Sequence, residues 1–341
     1  MGIERNPFAT TLLRWFAENG RDLPWRATKD PYAIWLSEVI LQQTRIQQGR
    51  SYWERFLRVW PTVDALAAAT EDEVLRMWQG LGYYSRARNL HAAAKQIVAQ
   101  GRFPNRLEDI KKLKGVGDYT AAAIASIAFD LPAAVVDGNV YRVLSRYFGV
   151  ETPINTTEGK KTFTALAQEL LPPKEASAFN QAIMDFGAIQ CTPQSPRCLL
   201  CPLAEGCEAL RTGRVGMLPV KLRTLKVKTR HLIYIYIRCQ GFVAFHRRAA
   251  GDIWQGLWEP LLIEVEQEGA PLVLPIAYRK ATPVKLGVRH VLTHRVIIAD
   301  FYLLETDERP SLPDDYIWIQ EEDLDHYGVS RLVEILLESF I

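Results

Sequence analysis

The chain has 341 residues, is 48% hydrophobic and carries a formal net charge of +2. That length suits two domains, each able to bury its own core. No run approaches the about 18 consecutive apolar residues that a membrane span needs, and Met1–Thr10 lacks a signal-peptide core, so the reading is of an intracellular protein with no membrane partner. The charge is unevenly divided: residues 1–230 hold 31 Lys and Arg against 22 Asp and Glu, whereas residues 231–341 hold 10 against 17. A basic first part joined to an acidic second part suits contact between the first part and a polyanion, although ordinary intracellular enzymes are often this basic.

In chain order, residues 8–18 read as a first helix, its apolar face built from Phe8, Leu12, Leu13, Trp15 and Phe16. Arg21-Asp-Leu-Pro-Trp-Arg26 follows as a loop in which Pro24 stops helix continuation. Trp25 beside Arg26 reads either as surface packing or as a stacking and hydrogen-bonding pair for an extruded base. The next helix starts near Asp30-Pro31 and runs to Thr44, with apolar residues nearly all round it. Glu38 falls in line with Ile34 and Leu41, inside the apolar surface. Burial there would raise its pKa, as a proton donor near neutral pH requires; most helical Glu residues are simply solvated. A helical run from Tyr52 to Gln79 then reaches Leu81-Gly-Tyr-Tyr-Ser-Arg86. Tyr83 and Arg86 suit a loop that enters a base stack while gripping phosphate; a glycine C-cap with aromatics turned inward is the alternative.

The run from Leu107 to Arg146 organises the rest. A short amphipathic helix leads into Lys114-Gly-Val-Gly117, and an Ala/Ile-rich helix starts at Asp118. Gly115 and Gly117 let the backbone around Val116 turn sharply, and the new helix N-terminus offers unpaired N–H groups that suit a phosphate. By itself the motif reads more readily as a plain interhelical turn. The apolar run Leu131–Val136 ends abruptly in Asp137-Gly-Asn139. Asp137 is placed either for chemistry on a nucleotide or merely to cap the helix beginning near Val140, and a cap would also hold it ionised.

Cys191, Cys198, Cys201 and Cys207 are separated by six, two and five residues in a Pro-rich segment. In a reducing compartment four thiolates at one metal centre are the natural reading, and zinc and a 4Fe–4S cluster both accept them. Residues 211–230 hold seven Lys and Arg and no acid, a basic linker that either lies along a polyanion or is merely solvated. After His231 the period changes to that of strands, at residues 231–238, 241–246, 257–265 and 296–304, with helix from Leu324 onward.

The hairpin and its following Asp137 resemble the helix-hairpin-helix superfamily of DNA base-excision glycosylases. Bifunctional members carry a Lys two residues after the second Gly, which attacks the sugar; Tyr119 stands there here, implying water as the final nucleophile. The cysteine spacing matches the superfamily's iron–sulfur loop, which implies a 4Fe–4S cluster acting as a structural staple and presenting Arg197 toward the DNA backbone. Trp25-Arg26, Ser37-Glu-Val-Ile-Leu-Gln-Gln-Thr44, Leu81-Gly-Tyr-Tyr-Ser-Arg86, the hairpin, Asp137 and the four Cys together resemble the MutY-type adenine DNA glycosylases. The resemblance implies that Glu38 protonates N7 of a flipped adenine and that Asp137 faces the sugar. It makes Gln43 a wedge in the vacated space, Tyr83 an intercalating residue beside the opposing base and Arg26 an adenine-edge contact. Tyr119 and Asn139 support the oxocarbenium-like state, and Gln181 is a neutral amide where some relatives carry Glu.

Gly251-Asp-Ile-Trp-Gln-Gly-Leu-Trp-Glu-Pro260 resembles the signature of the Nudix-like domain by which that family recognises 8-oxoguanine. Gln267-Glu-Gly-Ala270 lacks the metal box of true Nudix hydrolases, so no nucleotide pyrophosphatase activity is expected. His290-Val-Leu-Thr-His294 aligns with the family's His-x-Phe-Ser-His turn, with Leu292 for Phe and Thr293 for Ser beside His294; alone, the two His residues read as ordinary strand residues.

The expected architecture is therefore multidomain. An all-α helix-hairpin-helix glycosylase domain spans 1–210 with its iron–sulfur loop at 191–207, a linker spans 211–230, and a C-terminal α+β Nudix-like domain spans 231–341. The expected function is excision of adenine opposite 8-oxoguanine or guanine in double-stranded DNA by a monofunctional, monomeric glycosylase of base excision repair, cytoplasmic and nucleoid-associated if bacterial. A thymine glycosylase acting on G·T mispairs and a non-catalytic mismatch sensor are the alternatives.

Overall fold

The structure, a computed structural model, describes residues 6–222, 227–269, 271–274, 276 and 280–340. Twelve α-helices precede the first strand among the described residues: α1 (Pro7–Asn19), α2 (Pro31–Ile40), α3 (Ile46–Val59), α4 (Val63–Ala68), α5 (Glu71–Trp78), α6 (Ser85–Ala99), α7 (Leu107–Ile110), α8 (Asp118–Phe129), α9 (Gly138–Phe148), α10 (Thr157–Leu170), α11 (Ala176–Ile189) and α12 (Glu208–Arg211). Seven strands and one α-helix follow among the described residues: β1 (Lys228–Cys239), β2 (Phe242–Arg247), β3 (Trp258–Glu259), β4 (Leu261–Val265), β5 (Thr282–Val291), β6 (Arg295–Thr306), β7 (Tyr316–Gln320) and α13 (Arg331–Leu337). None of the described helices is long and apolar enough to cross a membrane.

The chain divides into two compact units, 1–67 with 92–223 and 68–91 with 224–341. The linear division differs from the compact units in two respects: α5 and the Tyr83 loop belong with the second unit, and most of the 211–230 stretch belongs with the first.

In the first unit α2 begins where Asp30 accepts from Tyr32 N (3.0 Å) with Pro31 behind it, a cap and first-turn proline that both favour helix start. Every residue from Tyr32 to Ile40 is buried, so this is a helix without a solvated face. The Ala-rich α8 packs against it, its residues Thr120–Ile127 all buried; small side chains permit that close approach. The helical run expected over Tyr52–Gln79 is three helices. Pro61 follows the end of α3, and Thr70 with Glu73 forms a capping box that restarts the chain as α5.

The segment before Asp137 has no regular secondary structure, and only Ala133 and Val135 of the apolar run Leu131–Val136 are buried, so the run is a half-buried path. Asn180 of α11 fixes that path. Its Nδ2 donates to Ser126 Oγ (2.9 Å) and Ala133 O (2.8 Å), and its Oδ1 accepts from Val135 N (3.1 Å). The expected linker is also tied down: Asn155 exchanges two 2.9 Å hydrogen bonds with Leu222, and Arg146 Nε donates to Leu218 O at 3.0 Å. Residues 223–226 of that stretch lie outside the described residues.

The second unit holds a mixed seven-stranded sheet in the order β3-β2-β1-β6-β5, with β4 also on β1 and β7 on β2. β1 and β6 run parallel from Lys228↔Arg295 to Cys239↔Thr306. Tyr234, Tyr236, Phe245 and Phe301 pack with Leu332 and Leu336 of α13 on one face, and Ile233, Ile235, Ile237 and Leu304 pack on the other. Burial on both faces explains why β1 reads as a continuous apolar run. Pro260 divides the strand expected at 257–265 into β3 and β4. β5 and β7 were not anticipated: nine of their fifteen residues are exposed, and β5 carries two register shifts, which blurs the alternation. Residues 266–269 follow β4 as bends and turns, and Ala270 lies outside the described residues.

Asn180→Leu removes three hydrogen bonds around Ala133 and Val135. It is expected to lower unfolding free energy by about 2–4 kcal/mol, since each buried group left unpaired costs about 1–3 kcal/mol; urea unfolding checks it.

Candidate active site

A cavity of about 330 Å³ in the first unit is lined by Trp25, Arg26, Glu38, Gln43, Tyr119, Asp137, Asn139 and Gln181, among others. Residues from the loop after α1, from α2, α8, α9 and α11 thus converge on one space. Glu38 projects from the buried α2 and is 8% exposed. Burial raises its pKa to about 7; the Tyr119 hydroxyl hydrogen bond and Arg26 oppose the rise, and Asp137 adds to it. Tyr119 keeps its own proton, because burial first, then Glu38 and Asp137, push its pKa far up. Its hydroxyl also lies 3.5 Å from Met184 Sδ.

Asp137 caps α9, accepting from Asn139 N (2.9 Å) and Val140 N (2.8 Å) at one oxygen and from Asn139 Nδ2 (2.8 Å) at the other. Asp137 is thus a helix cap that also lines the cavity. The cap hydrogen bonds favour its ionised form, but the net direction of its pKa is upward. Burial raises it, and the hydrogen bonds from Val140 and Asn139, with Arg142, offset only part of the rise.

Arg142 continues the network. It donates to Asn139 Oδ1 (2.8 Å), Gly187 O (2.6 Å) and Cys191 O (2.7 Å). Asp137, Asn139, Arg142 and the first cysteine of the loop thus form one hydrogen-bonded chain. Cys191, Cys198, Cys201 and Cys207 line a common small cavity with Arg146 and Arg197. Arg146, buried, lies with Nη1 3.4 Å from Cys191 Sγ and donates to Thr192 O (2.8 Å) and Pro193 O (3.2 Å). Among the described residues no three His, Cys, Asp or Glu are grouped for a single metal ion, whereas four thiols around a shared cavity beside a buried guanidinium fit a larger, anionic inorganic cluster. These four thiols are the groups that would hold it.

Arg26 lines the cavity, but its guanidinium is engaged by Asp185: Nη1 and Nη2 each donate to that carboxylate at 2.9 Å. Asp185 is fully buried and was not anticipated; an acid flanked by the apolar Met184 and Phe186 in a largely apolar helix was the available signal. Trp25 is buried against Trp53 (centroids 5.9 Å apart) with part of its surface toward the cavity. Gln43 stands exposed at the lip with φ 58°, a conformation that costs energy in a non-glycine residue and is often found at functional sites. Gln181 donates to Ser177 Oγ at 3.1 Å.

The hairpin lies outside this cavity. Gly115 has φ +75°, which favours glycine, and Lys114 N donates to Gln96 Oε1 at 2.7 Å. The Val116 side chain is buried, so only its backbone can meet a ligand; at Gly117 a Cβ would meet nothing within 4 Å.

In the second unit a cavity of about 840 Å³ is lined by Tyr83, Trp254, His290, Leu292, Thr293 and His294, among others. The Tyr83 and Thr293 hydroxyls hydrogen-bond to each other. The paired tyrosines divide: Tyr83 is 46% exposed at φ 47°, while Tyr84 is buried and donates to Val329 O at 3.3 Å. Arg86 is not turned outward for phosphate. It donates to Leu81 O and Gly82 O (both 3.2 Å) and lies over the Trp78 ring at 5.0 Å, bracing the loop that carries Tyr83.

Three family models match this chain: the HhH-GPD superfamily of base excision DNA repair proteins over residues 36–173, the iron–sulfur binding domain of endonuclease III over 191–207, and the NUDIX domain over 233–339. Fold and sites together define a helix-hairpin-helix glycosylase with an iron–sulfur loop, whose cofactor is a 4Fe–4S cluster, and a C-terminal Nudix-like domain. The adenine DNA glycosylase of Buchnera aphidicola (subsp. Baizongia pistaciae) is 34% identical over 256 residues, 74% of this chain and 72% of that one. The mouse adenine DNA glycosylase is 42% identical over 226 residues, and the match covers 62% of this chain but only 44% of the mouse protein. A solved thermostable thymine-DNA glycosylase is 32% identical with a TM-score of 0.56, covering 60% of this chain and 95% of that one. The chain belongs to the adenine DNA glycosylase family.

Arg142→Met deprives Asn139, Gly187 and Cys191 of their shared donor. The variant is expected to lose about 3 kcal/mol or more of stability and to lose the cluster's visible absorbance at lower urea than the parent; a urea titration followed in the visible checks it.

Proposed function

We propose that this protein is a monofunctional DNA glycosylase that hydrolyses the N-glycosidic bond of adenine paired with 8-oxoguanine or guanine in duplex DNA, working as a monomer. The observation that carries the reading is that Glu38 and Asp137, distant in sequence, line one cavity with Tyr119 and Asn139. Adenine leaves poorly as an anion, so the bond breaks more easily once N7 is protonated. With its pKa pushed up to about 7, Glu38 still holds a proton at neutral pH and can donate it. Cleavage leaves positive charge on the sugar, which the Asp137 carboxylate offsets, held in place by Asn139 and the α9 N-terminus. Tyr119, at the position where bifunctional relatives carry Lys, donates a hydrogen bond to Glu38 instead. None of the residues lining the cavity is a lysine, which supports water as the final nucleophile. The 4Fe–4S cluster, when bound, cross-links the loop 191–207. Arg142 and Arg146 are the residues that tie that loop to α9.

In this reading the cavity containing Tyr83, Leu292, Thr293 and His294 receives the base opposite the adenine. Support comes from the hydroxyl pair of Tyr83 and Thr293 and from the Nudix-type match over 233–339. A second reading, thymine excision from G·T mispairs, is favoured by Tyr119 and by the likeness to a thymine-DNA glycosylase. Thymine has no N7 to accept the Glu38 proton, which weighs against it.

Glu38→Gln and Asp137→Asn are each expected to slow single-turnover adenine release from an A·8-oxoguanine duplex by at least ~10², with duplex affinity retained. Alkali-labile sites formed on A·8-oxoguanine, A·G and G·T duplexes check both readings. Strand breaks on the G·T duplex alone favour thymine excision, and a bound but unbroken panel means a mismatch sensor.

A further inference from the structure

Asp185 takes no direct part in the proton transfer above, yet it is the most heavily hydrogen-bonded acid beside the cavity. Arg21 donates to it from the main-chain N (2.9 Å), from Nε (2.9 Å) and from Nη2. Arg26 donates from Nη1 and Nη2, both at 2.9 Å, while its Nη1 also reaches Arg21 O at 2.7 Å. A carboxylate has about four lone-pair sites, so five donors saturate it. The Arg26 guanidinium is further held over the Phe16 ring at 5.2 Å. Burial would raise the pKa of Asp185, but these hydrogen bonds hold it below the ordinary carboxylate range, so it is charged.

Stability alone is a weak reason for such an arrangement, because a buried ion pair seldom outperforms apolar packing of the same volume. Location supplies a better one. Arg21 and Arg26 both line the cavity into which Glu38 opens. A guanidinium in a poorly hydrated wall draws protons off a nearby carboxyl, and Arg26 does act on Glu38 in that sense. The other groups facing Glu38 are Tyr119 from α8, which favours the ionised form by its hydrogen bond, and Asp137 at the start of α9, which opposes it. From α11 the cavity receives the neutral Gln181 and Met184, and no second titratable residue of α2 lines it. With Asp185 the two arginines leave one net positive charge in that wall; without it they would leave two.

We propose that Asp185 is a positioning residue for the proton donor: it clamps Arg21 and Arg26 against the cavity wall and offsets one of their charges, so that Glu38 keeps its proton at neutral pH. The inference rests on the reading of Glu38 as the acid, and it makes the Arg26 guanidinium part of a fixed wall, oriented before any base enters. The carboxylate acts through the arginines and touches neither substrate nor reacting atoms.

The test follows the Glu38 carboxyl in the full-length, cluster-loaded protein without DNA, by carbon-13 resonance in glutamate-labelled samples, with Glu38→Gln for assignment. Starting from a midpoint of about 7, Asp185→Asn is expected to lower it by about one pH unit, the size of effect one charge has across a partly screened protein interior. Arg26→Gln is expected to raise it, and the double variant to return it toward the parent. In single-turnover adenine release at alkaline pH, Asp185→Asn is expected to be about tenfold slower than the parent and to recover as the pH falls. A midpoint that stays put in folded Asp185→Asn, or a rate loss equal at every pH, overturns the proposal and leaves a structural clamp only. If Asp185→Asn alone does not fold, Arg26→Gln against the double variant decides the same question, since the double must then titrate lower. Should the parent release adenine from no duplex, the proposed function fails, while the carboxyl titration still judges the role of Asp185.

Discussion

Glu38 sits on a helix with no solvated face, and taking its carboxyl out of water is the constraint to which the rest of the site answers. An ordinary glutamic acid is ionised at neutral pH and has no proton to give. Desolvation is the largest influence on Glu38 and pushes it to about 7, where donor and conjugate base coexist. The groups around it trim that effect without reversing it. Tyr119 and Arg26 pull toward ionisation, and Asp137 pushes back. What makes the acid usable is therefore α2 itself, buried from Tyr32 to Ile40 because α8 presents alanines to it.

The partner carboxylate is managed differently. Asp137 is held by three hydrogen bonds from Asn139 and Val140, and its approach path is held by Asn180. Burial still leaves its pKa raised, so position, more than a depressed pKa, is what the α9 cap provides. Arg142 extends the same network to the backbone of Cys191. The loop of four cysteines is in this way continuous with the wall of the cavity, and the arginines at positions 142 and 146, one turn apart on α9, are the joints.

Much of this was legible in the chain because it is written locally. The cysteine spacing, the glycines of the hairpin, the cap at Asp137 and the misfit of an acid in the apolar face of α2 each follow from a few neighbouring residues. What escaped depends on contacts across the chain. Asp185 was not anticipated, and its meaning appears only when Arg21 and Arg26, about 160 residues earlier, close upon it. Arg86 carried a phosphate-binding expectation from its neighbours, yet the carbonyls of Leu81 and Gly82 and the Trp78 ring engage it. Tyr83 and Tyr84 were indistinguishable in sequence and separate in space, one exposed and one buried. β5 and β7 lacked the apolar content that revealed β1, since half-exposed strands with register shifts carry a weak period.

In the proposed reaction one buried acid delivers the proton that releases the base. The dependence of single-turnover adenine release on pH, with the unmodified protein in excess over an A·8-oxoguanine duplex, tests it most directly. A donor that titrates at about 7 predicts a rate that falls about tenfold per pH unit on the alkaline side of that value. A rate that stays constant well into the alkaline range would contradict it, because the group supplying the proton would then have to be something other than Glu38.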